Sequence, residues 1–357
     1  MVLPSSGPLS LNEIHVEAGG STGTTAGLND ADIRDLIGKS SGATMSFNEW
    51  YGAAAFTPRA VFMGGGNTNA VNTIEYIEIP TTGNTTDFGD LTTTKKGSGV
   101  YSSVTRAISH AGQKEAAPYY QNIIDYVTIA STGNATDFGN ATTLKAYGSG
   151  LSNSTRGVYV GGVIYNGTAT AGMEYVTIAT TGNASNFGSL STVNTNLGDA
   201  SCSSTTRGII FGGFESGGSG ALNIIQYVTI GTVGNSVDFG DMSDSNSGIQ
   251  ACSSGTRGVR SGGQTGYVNT IEYVTIASTG NTTDFGDLTV GRAAGAGTSS
   301  FVRGVFAGGL TGSGNARTNV IDYITIASTG NATDFGDLST TRFNLAGTSS
   351  QHGGLPT

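Results

Sequence analysis

One sequence motif recurs through most of the chain, and it constrains the fold more than any other feature. Its cleanest copy, within residues 303–339, reads RGVFAGG, a loop, NVIDYITIASTGN and then ATDFGDLS. Six copies keep four landmarks in order: an arginine, a tyrosine, the asparagine of a glycine-asparagine turn, and a phenylalanine before a glycine. The tyrosines are Tyr76, Tyr126, Tyr175, Tyr227, Tyr273 and Tyr323, separated by 50, 49, 52, 46 and 50 residues.

Each copy predicts four short β-strands, which we name a to d from the innermost outward. Strand b is the RGVFAGG segment with its paired glycines, and strand c is the IEYVTIAS segment, rich in β-branched and aromatic residues. Strand d is the TDFGDL piece, and strand a is a run of glycine, alanine and serine that suits a crowded axis. A repeat of roughly 40–50 strand-forming residues is typical of one propeller blade. We therefore predict an all-β, six-bladed β-propeller over residues 59–357.

The order of the strands predicts how the ring closes. The first copy starts at strand b with Arg59, and the last is followed by a strand a, residues 343–350, with no strand b after it. We expect this C-terminal strand to complete the first blade, since no blade is then left open. Both ends of the propeller would lie on the face that carries the a–b links.

Residues 1–58 lie outside the repeat and predict three short helices. Each would begin at a capping-box-like pair, an oxygen acceptor followed three residues later by an acid. The pairs are Ser10 and Glu13, Asn29 and Asp32, and Ser46 and Glu49. A unit this small is marginally stable alone, so we expect it to dock on another structure.

Composition limits the partners. The formal net charge is −9, which argues against a nucleic-acid partner. No apolar run reaches the roughly 18 residues of a membrane span, and the start MVLPSSGPLS has no basic or apolar leader region, so we expect neither membrane insertion nor a signal peptide. Cys202 and Cys252 occupy the same phase of adjacent repeats and are expected to be small buried thiols, with a disulfide as the alternative.

The sequence gives little support for a catalytic or metal-binding site. The repeated DFGD phrase could offer paired acids to calcium, but Asn186 and Ser189 replace both acids in the third copy, so a turn-forming role is favoured. The repeated arginine is expected to stack or to hydrogen-bond between blades. His15, His110 and His352 are too scattered to suggest a triad or a metal site. We expect no enzyme activity, no metal and no cofactor.

The links between strands differ in variability. The a–b and c–d links are almost invariant between copies, whereas the b–c links differ in length and chemistry. Because strands alternate in direction, the a–b and c–d links share one face, here named the uniform face, and the b–c and d–a links share the opposite, variable face. Variable loops on a rigid scaffold commonly carry binding. The candidate binding residues on these loops are Tyr119, Tyr120, Tyr165, Phe214, Tyr267 and Arg317.

Two resemblances follow from these patterns. The paired glycines ending strand b and the aromatic residue on strand c resemble kelch-type propellers, over about five-sixths of the chain. The strand-d tryptophan of that family is absent, and Phe88 and its equivalents are expected to take its place. Residues 1–55, with LPSSGPLSLNEIHVE and LNDADIRDLIGKSSGATMSFNEWYG, resemble the N-terminal segment of many tailed-bacteriophage tail and fibre proteins.

The second resemblance implies a virion protein of the tail fibre or baseplate, assembled in the host cytoplasm and present in several copies. Residues 1–58 would bind other tail proteins, and the propeller would bind a glycan or protein of the host surface. Two alternatives stay open. One is a purely structural tail or capsid decoration subunit, and the other is a propeller glycosidase or other hydrolase.

Overall fold

The structure is a computed structural model that describes residues 3, 10–19, 22, 27, 30, 33–34, 57–195, 198–215, 220–312, 314 and 316–356. Contacts within the chain divide it into two units, residues 1–57 and residues 58–357. The described helix is α1 (Leu11–Glu17). The strands are β1 (Arg59–Met63), β2 (Thr73–Glu78), β3 (Thr86–Asp90), β4 (Gly99–Ser102), β5 (Arg106–Gln113), β6 (Tyr120–Thr128), β7 (Thr136–Ala146), β8 (Ser149–Ser152), β9 (Arg156–Val160), β10 (Val163–Ile164), β11 (Gly172–Thr177), β12 (Ser185–Ser189), β13 (Gly198–Asp199), β14 (Ser201–Ser203), β15 (Arg207–Phe211), β16 (Phe214–Glu215), β17 (Gly220–Thr229), β18 (Val237–Asn246), β19 (Ile249–Ser253), β20 (Arg257–Ser261), β21 (Thr270–Thr275), β22 (Thr283–Asp287), β23 (Ala296–Ser299), β24 (Arg303–Thr311), β25 (Ala316–Thr325), β26 (Thr333–Asp337) and β27 (Ala346–Ser349).

These strands form six blades in a closed ring, as the repeat predicts. Each blade is an antiparallel sheet of four strands in the order a, b, c and d. The a strands of neighbouring blades pack against one another around the axis. The blades, numbered from the N-terminus, are β27-β1-β2-β3, β4-β5-β6-β7, β8-β9-β11-β12, β14-β15-β17-β18, β19-β20-β21-β22 and β23-β24-β25-β26. Three two-residue strands, β10, β13 and β16, add to the edges of β7, β19 and β17.

The ring closes through the C-terminal strand, which confirms the predicted closure. β27 pairs antiparallel with β1, so that Ala60 faces Ser349 and Met63 faces Ala346. The N–H of Ser350 donates to the carbonyl of Arg59 at 3.0 Å and extends this pairing towards the uniform face. Both ends of the propeller therefore lie on that face.

The hydrophobic core lies between the blades. One cluster, for example, joins Val61 and Phe88 of blade 1 to Val100, Ala107 and Val127 of blade 2. Burial of one such large side chain contributes about 1.5–3 kcal/mol. Because each cluster belongs to more than one blade, no blade can bury its apolar surface without its neighbours.

In the N-terminal unit, the first predicted helix is confirmed. The Ser10 hydroxyl accepts a hydrogen bond from the N–H of Glu13, and the Glu13 carboxylate accepts one from the N–H of Ser10, so the capping box is complete. The other two predicted helix starts, at Asn29 and Ser46, lie outside the described residues. Among the described residues, no helix is both long and apolar enough to cross a membrane.

Candidate functional site

The repeated arginine joins each blade to the next. The guanidinium carbon of Arg257 lies 4.4 Å from the ring centroid of Tyr273, and its Nη1 donates to the carbonyl of Ile326 in the next blade at 3.0 Å. Tyr273 in turn packs edge-on against Phe285, with ring centroids 6.0 Å apart. All six blades repeat this stack and edge contact. The predicted stacking and inter-blade role of the arginine is confirmed.

The repeated Asp-Phe-Gly motif hydrogen-bonds each blade to the glycine-asparagine turn of the following blade. In blade 1 it lies in β3, with a bulge against β2. The carbonyl of Phe88 accepts from the N–H of Gly133 at 2.7 Å, and the N–H of Asp90 donates to Asn134 Oδ1 at 3.0 Å. Gly89 has a φ of +144°, and a Cβ there would lie 2.5 Å from the Gly133 oxygen, so the position requires glycine. The predicted turn-forming role is wrong, because the phrase is a bulged edge strand.

Sequence reasoning missed a buried polar belt that also joins the blades. The residue before the repeated tyrosine is a buried acid or amide in every blade. At four boundaries it pairs with a basic residue of the preceding blade, which lies at the end of strand d in blade 2 and in the d–a link of the other three. These pairs are Lys95–Asp125 at 2.6 Å, Lys145–Glu174 at 3.0 Å, Arg292–Asp322 at 2.9 Å and Arg342–Glu75. The last pair joins blade 6 to blade 1, so it belongs to the ring closure.

The other two boundaries keep the charges balanced in different ways. Between blades 3 and 4, neutral Asn194 and Gln226 occupy the two equivalent positions, and the Gln226 amide oxygen accepts from serine hydroxyls. Between blades 4 and 5, Asn246 replaces the basic residue, and Glu272 pairs instead with Arg260 of its own blade at 2.6 Å. Every buried carboxylate of the belt thus has a cation, which limits the cost of desolvating it.

One boundary holds side chains with the chemistry of a catalytic triad. His110 Nε2 lies 2.6 Å from Glu174 Oε1, and His110 Nδ1 lies 2.8 Å from the hydroxyl of Tyr101. The imidazole also stacks on the ring of Tyr159, with centroids 4.8 Å apart. Burial lowers the pKa of His110, although the hydrogen bond and the charge of Glu174 oppose this shift. All four side chains are buried, so this group forms a polar part of the core rather than a surface that receives a substrate.

A ring of serines surrounds the axis near the uniform face. The hydroxyl of Ser253 donates to the carbonyl of Ser203 at 2.7 Å and accepts from the N–H of Ser203 at 3.2 Å. Similar bonds join the other neighbouring blades. The ring is Ser102, Ser152, Ser203, Ser253, Ser299 and Ser349. The small residues predicted for strand a therefore bring the six backbones close enough to be bridged by one hydroxyl each.

Both ends of the axial channel are occupied by the protein itself. Towards the variable face, Asp199 of blade 4 reaches across the axis, and its carboxylate accepts from the N–H groups of Gly297 at 3.0 Å and Gly347 at 2.9 Å. Burial raises the pKa of Asp199 to about 8, although these two hydrogen bonds oppose the shift. Towards the uniform face, the N–H of Gly353 donates to the carbonyl of Ser253 at 3.0 Å.

The space left in the channel is small. Its volume is about 40 Å³, and Asp199, Ser152 and His352 are among the residues that line it. One water needs roughly 10–15 Å³ by a comparable measure, so the channel has room for a few waters and for no organic ligand. The axial channel itself therefore offers no site for an organic ligand.

The variable face carries extended hairpins on every second blade. In blades 2 and 6, strands b and c continue past the paired-glycine position, which forms a bulge in β5 and in β24 instead of ending strand b as predicted. In blade 4, β17 extends outward and pairs with β16. In blades 1, 3 and 5, strands b and c have only five and six residues. The variable face therefore differs between blades in how far its hairpins extend as well as in which residues they carry.

Three of the predicted binding residues are exposed on this face. The exposed fractions are 56% for Tyr119, 68% for Tyr165 and 42% for Phe214. Tyr119 precedes β6, Tyr165 lies in the turn between β10 and β11, and Phe214 begins β16. They belong to blades 2, 3 and 4, so the structure distributes them around the face and does not gather them into one site.

The other three predicted residues are half-buried. Tyr120 begins β6, and Tyr267 lies in the b–c loop of blade 5. Like Tyr120, Arg317 lies in a strand, β25, and not in a loop, which corrects the prediction for both, because the hairpins of blades 2 and 6 are longer than the sequence suggested. Its guanidinium carbon lies 5.3 Å from the ring centroid of Phe343.

One depression on the variable face brings a predicted residue together with residues that the sequence did not indicate. It lies between blades 4 and 5, has a volume of about 360 Å³ and is lined by Phe214, Ala221, Ser247, Gln264 and Thr265. Phe214 comes from blade 4, whereas Gln264 and Thr265 precede Tyr267 on the b–c loop of blade 5. We name this depression the 4/5 groove.

Within the described part of the chain, no group of three or more histidine, cysteine, aspartate or glutamate side chains could hold a metal ion. Cys202 and Cys252 are buried free thiols. Comparison with known protein families gives no match, and no curated protein matches the sequence.

Proposed function

We propose that this chain is a tail protein of a tailed-bacteriophage virion, and that the variable face of its propeller binds a glycan or protein of the host surface. The resemblance of residues 1–55 to the N-terminal segments of tail and fibre proteins supports the virion assignment. The observation that carries the binding role is the contrast between the two faces. The arginine–tyrosine stack and the nearly invariant links of the uniform face repeat in every blade, whereas exposed aromatic side chains on the variable face differ from blade to blade.

The position of the two ends of the propeller supports the same orientation. Residue 58 enters β1, and residue 350 leaves β27, both on the uniform face. A chain held in a particle through its N-terminal segment is thus joined to its propeller on the uniform side.

Host adsorption and particle assembly test this proposal together. Particles carrying Tyr119→Ala with Tyr120→Ala, and separately particles carrying Phe214→Ala with Tyr267→Ala, are compared with the wild type. The matched control is Val302→Ala, which removes an exposed side chain from the a–b link of blade 6 on the uniform face. We expect normal assembly for all particles, and at least a tenfold loss of adsorption for one or both variable-face pairs.

Two results would reject the receptor role. If the variable-face pairs prevent assembly while the remaining particles adsorb normally, the face is an assembly interface and the chain is a structural subunit. If an antibody against the chain labels no part of the particle, the virion assignment is wrong as well. Location of the label at the distal end of the tail is the expected result.

A further inference from the structure

The 4/5 groove brings aromatic and polar groups from two blades together on the variable face. Its aromatic wall is Phe214, and its polar lining consists of Ser247, Gln264 and Thr265. None of the five lining residues is charged. The volume of about 360 Å³ falls within the range of small-ligand pockets.

The backbone holds Phe214 from both sides. Its N–H donates to the carbonyl of Thr195 at 2.8 Å, and its carbonyl accepts from the N–H of Thr195 at 3.0 Å, which links it to blade 3. On the other side it pairs with Ala221 in the β16–β17 hairpin. The exposed ring is therefore presented by a fixed segment, in contrast to Tyr165, which lies in a turn. A fixed aromatic ring loses little entropy when a ligand stacks on it.

The polar lining is held by one buried side chain. The amide oxygen of Asn246 accepts from the N–H of Ser247 at 3.1 Å and from the N–H of Thr265 at 2.8 Å. The N–H of Gln264 donates to the carbonyl of Ser247 at 2.8 Å. A Cβ at Gly263 would lie 2.2 Å from the Asn246 side chain, so glycine permits this close approach of the blade 5 loop. The two blades thus hold the backbone of these residues in a set position beside Phe214.

An exposed aromatic ring beside neutral hydroxyl and amide groups suits a pyranose sugar. The ring can stack on the apolar C–H face of the sugar, while the exposed side chains of Thr265 and Gln264 can each donate to or accept from its hydroxyls. Acidic sugars suit the groove less well, because it offers them no cationic lining residue. The chain as a whole also carries a formal net charge of −9.

We propose that the 4/5 groove is a subsite for a neutral pyranose unit of a surface glycan, with Phe214 as the stacking platform and Thr265 and Gln264 as hydrogen-bonding groups. The biological meaning of this subsite rests on the proposed function, but sugar binding itself does not require it. The uncharged lining favours a neutral carbohydrate over an acidic one.

Saturation-transfer NMR on the full chain tests the subsite directly. The probes are the methyl glycosides of glucose, galactose and N-acetylglucosamine, with glucuronic acid and N-acetylneuraminic acid as charged comparisons. We expect millimolar binding of at least one neutral glycoside and at least fivefold weaker binding of both acids. Phe214→Ala should weaken the neutral sugar at least tenfold, and Thr265→Val, which keeps the backbone N–H bonded to Asn246, should weaken it severalfold.

Two further variants separate stacking from folding. Phe214→Trp keeps an aromatic platform and should retain binding, whereas Phe214→Leu keeps apolar bulk and should lose it. Val302→Ala, which removes an exposed side chain from the uniform face, is the control and should bind as the wild type does. The subsite is rejected if no neutral glycoside binds, if the acids bind more tightly, or if Phe214→Ala binds as well as the wild type.

The outcomes distinguish this subsite from the broader proposal. Wild-type particles that adsorb to host cells, with Phe214→Ala particles adsorbing equally, would leave the receptor role standing and remove the subsite. Sugar binding that depends on Phe214, in a chain that no particle carries, would keep the subsite and remove the virion role.

Discussion

The blade boundaries and the variable face arise from the same repeat but obey different constraints. At a boundary, a side chain of one copy meets a fixed position of the next copy, so a change on one side is compensated, either at the facing position or by another residue of the same blade. Asn194 and Gln226 illustrate this, because both positions of that boundary are neutral together. On the variable face, the hairpins of blades 2, 4 and 6 project beyond the repeated contacts, and their residues vary without such matching.

The comparison also shows that a residue without repeat equivalents is not necessarily a binding residue. His110 and Asp199 have no chemical equivalent in the other copies, yet both are buried and serve the interior. Phe214 is equally individual, but it is exposed beside a groove. A residue that differs between the copies is therefore a candidate binding residue only when it is also exposed. When it is buried, it serves packing in the interior.

The largest expected effect is the loss of the closing strand. Deleting residues 342–357 removes β27 and Arg342, so β1 loses its partner strand and Glu75 is left as a buried acid without its cation. We expect no cooperative unfolding transition in calorimetry. A chain lacking only residues 356 and 357 is the control and should melt as the wild type does. A sharp transition at the wild-type temperature in the longer deletion would contradict ring closure.

Breaking one ion pair of the belt should have the next largest effect. Lys95→Met leaves fully buried Asp125 without its cation, and such changes cost about 3–5 kcal/mol of unfolding free energy. Adding Asp125→Asn removes the unpaired charge and should recover at least half of that loss, as the neutral pair of positions between blades 3 and 4 suggests. Urea unfolding of both variants measures this. Equal losses in the single and double variants would mean that charge balance is not the reason.

Asp199 should make stability depend on pH. Its pKa is raised from 3.8 to about 8 in the folded protein, so folding retains a proton that the unfolded chain releases above about pH 4. Its contribution to stability is complete below about pH 4 and is lost as pH rises through about 8. Each pKa unit corresponds to about 1.4 kcal/mol. Between pH 5 and pH 8, the wild type should therefore lose a few kcal/mol relative to Asp199→Asn, measured by urea unfolding at both pH values.

A contact at the outer part of a boundary should matter less. Arg257→Ala removes one cation–π stack and one inter-blade hydrogen bond from a half-buried position, for an expected cost of about 1 kcal/mol. Arg257→Lys keeps the charge but not the planar stack and should recover only part of it. Thermal unfolding monitored by circular dichroism reports both. A loss above about 3 kcal/mol would place the outer contacts on a par with the buried belt.

The smallest effect is expected on the variable face. Tyr165→Ala removes a ring that is 68% exposed, so unfolding free energy should change by less than about 0.5 kcal/mol. Urea unfolding measures it beside Lys95→Met under the same conditions. A larger loss would show that the variable face also stabilises the ring, and the contrast between the two regions would fail.

The sequence alone determined the architecture, because the architecture is periodic. Six copies of four strand patterns imply six blades, and the missing strand a before Arg59 together with the extra one near the C-terminus implies closure. Strand alternation then assigns every link to one of two faces. The role of the repeated arginine could also be predicted from the sequence, because a residue that recurs in every blade is expected to make the contact between blades.

Only the tertiary structure decided which side chains meet across the boundaries and on the faces. Lys95 and Asp125 lie in different copies, and their pairing depends on how far blade 1 rotates against blade 2. The sequence did contain one indication of the buried belt, because an acid or amide precedes each repeated tyrosine. Its partner residue also varies between copies, so the two cannot be paired without knowing the distances between them. Asp199 and the 4/5 groove have no counterpart in the repeat. They depend on how closely the backbone of one blade approaches the axis or the neighbouring blade. The sequence pattern does not contain these distances.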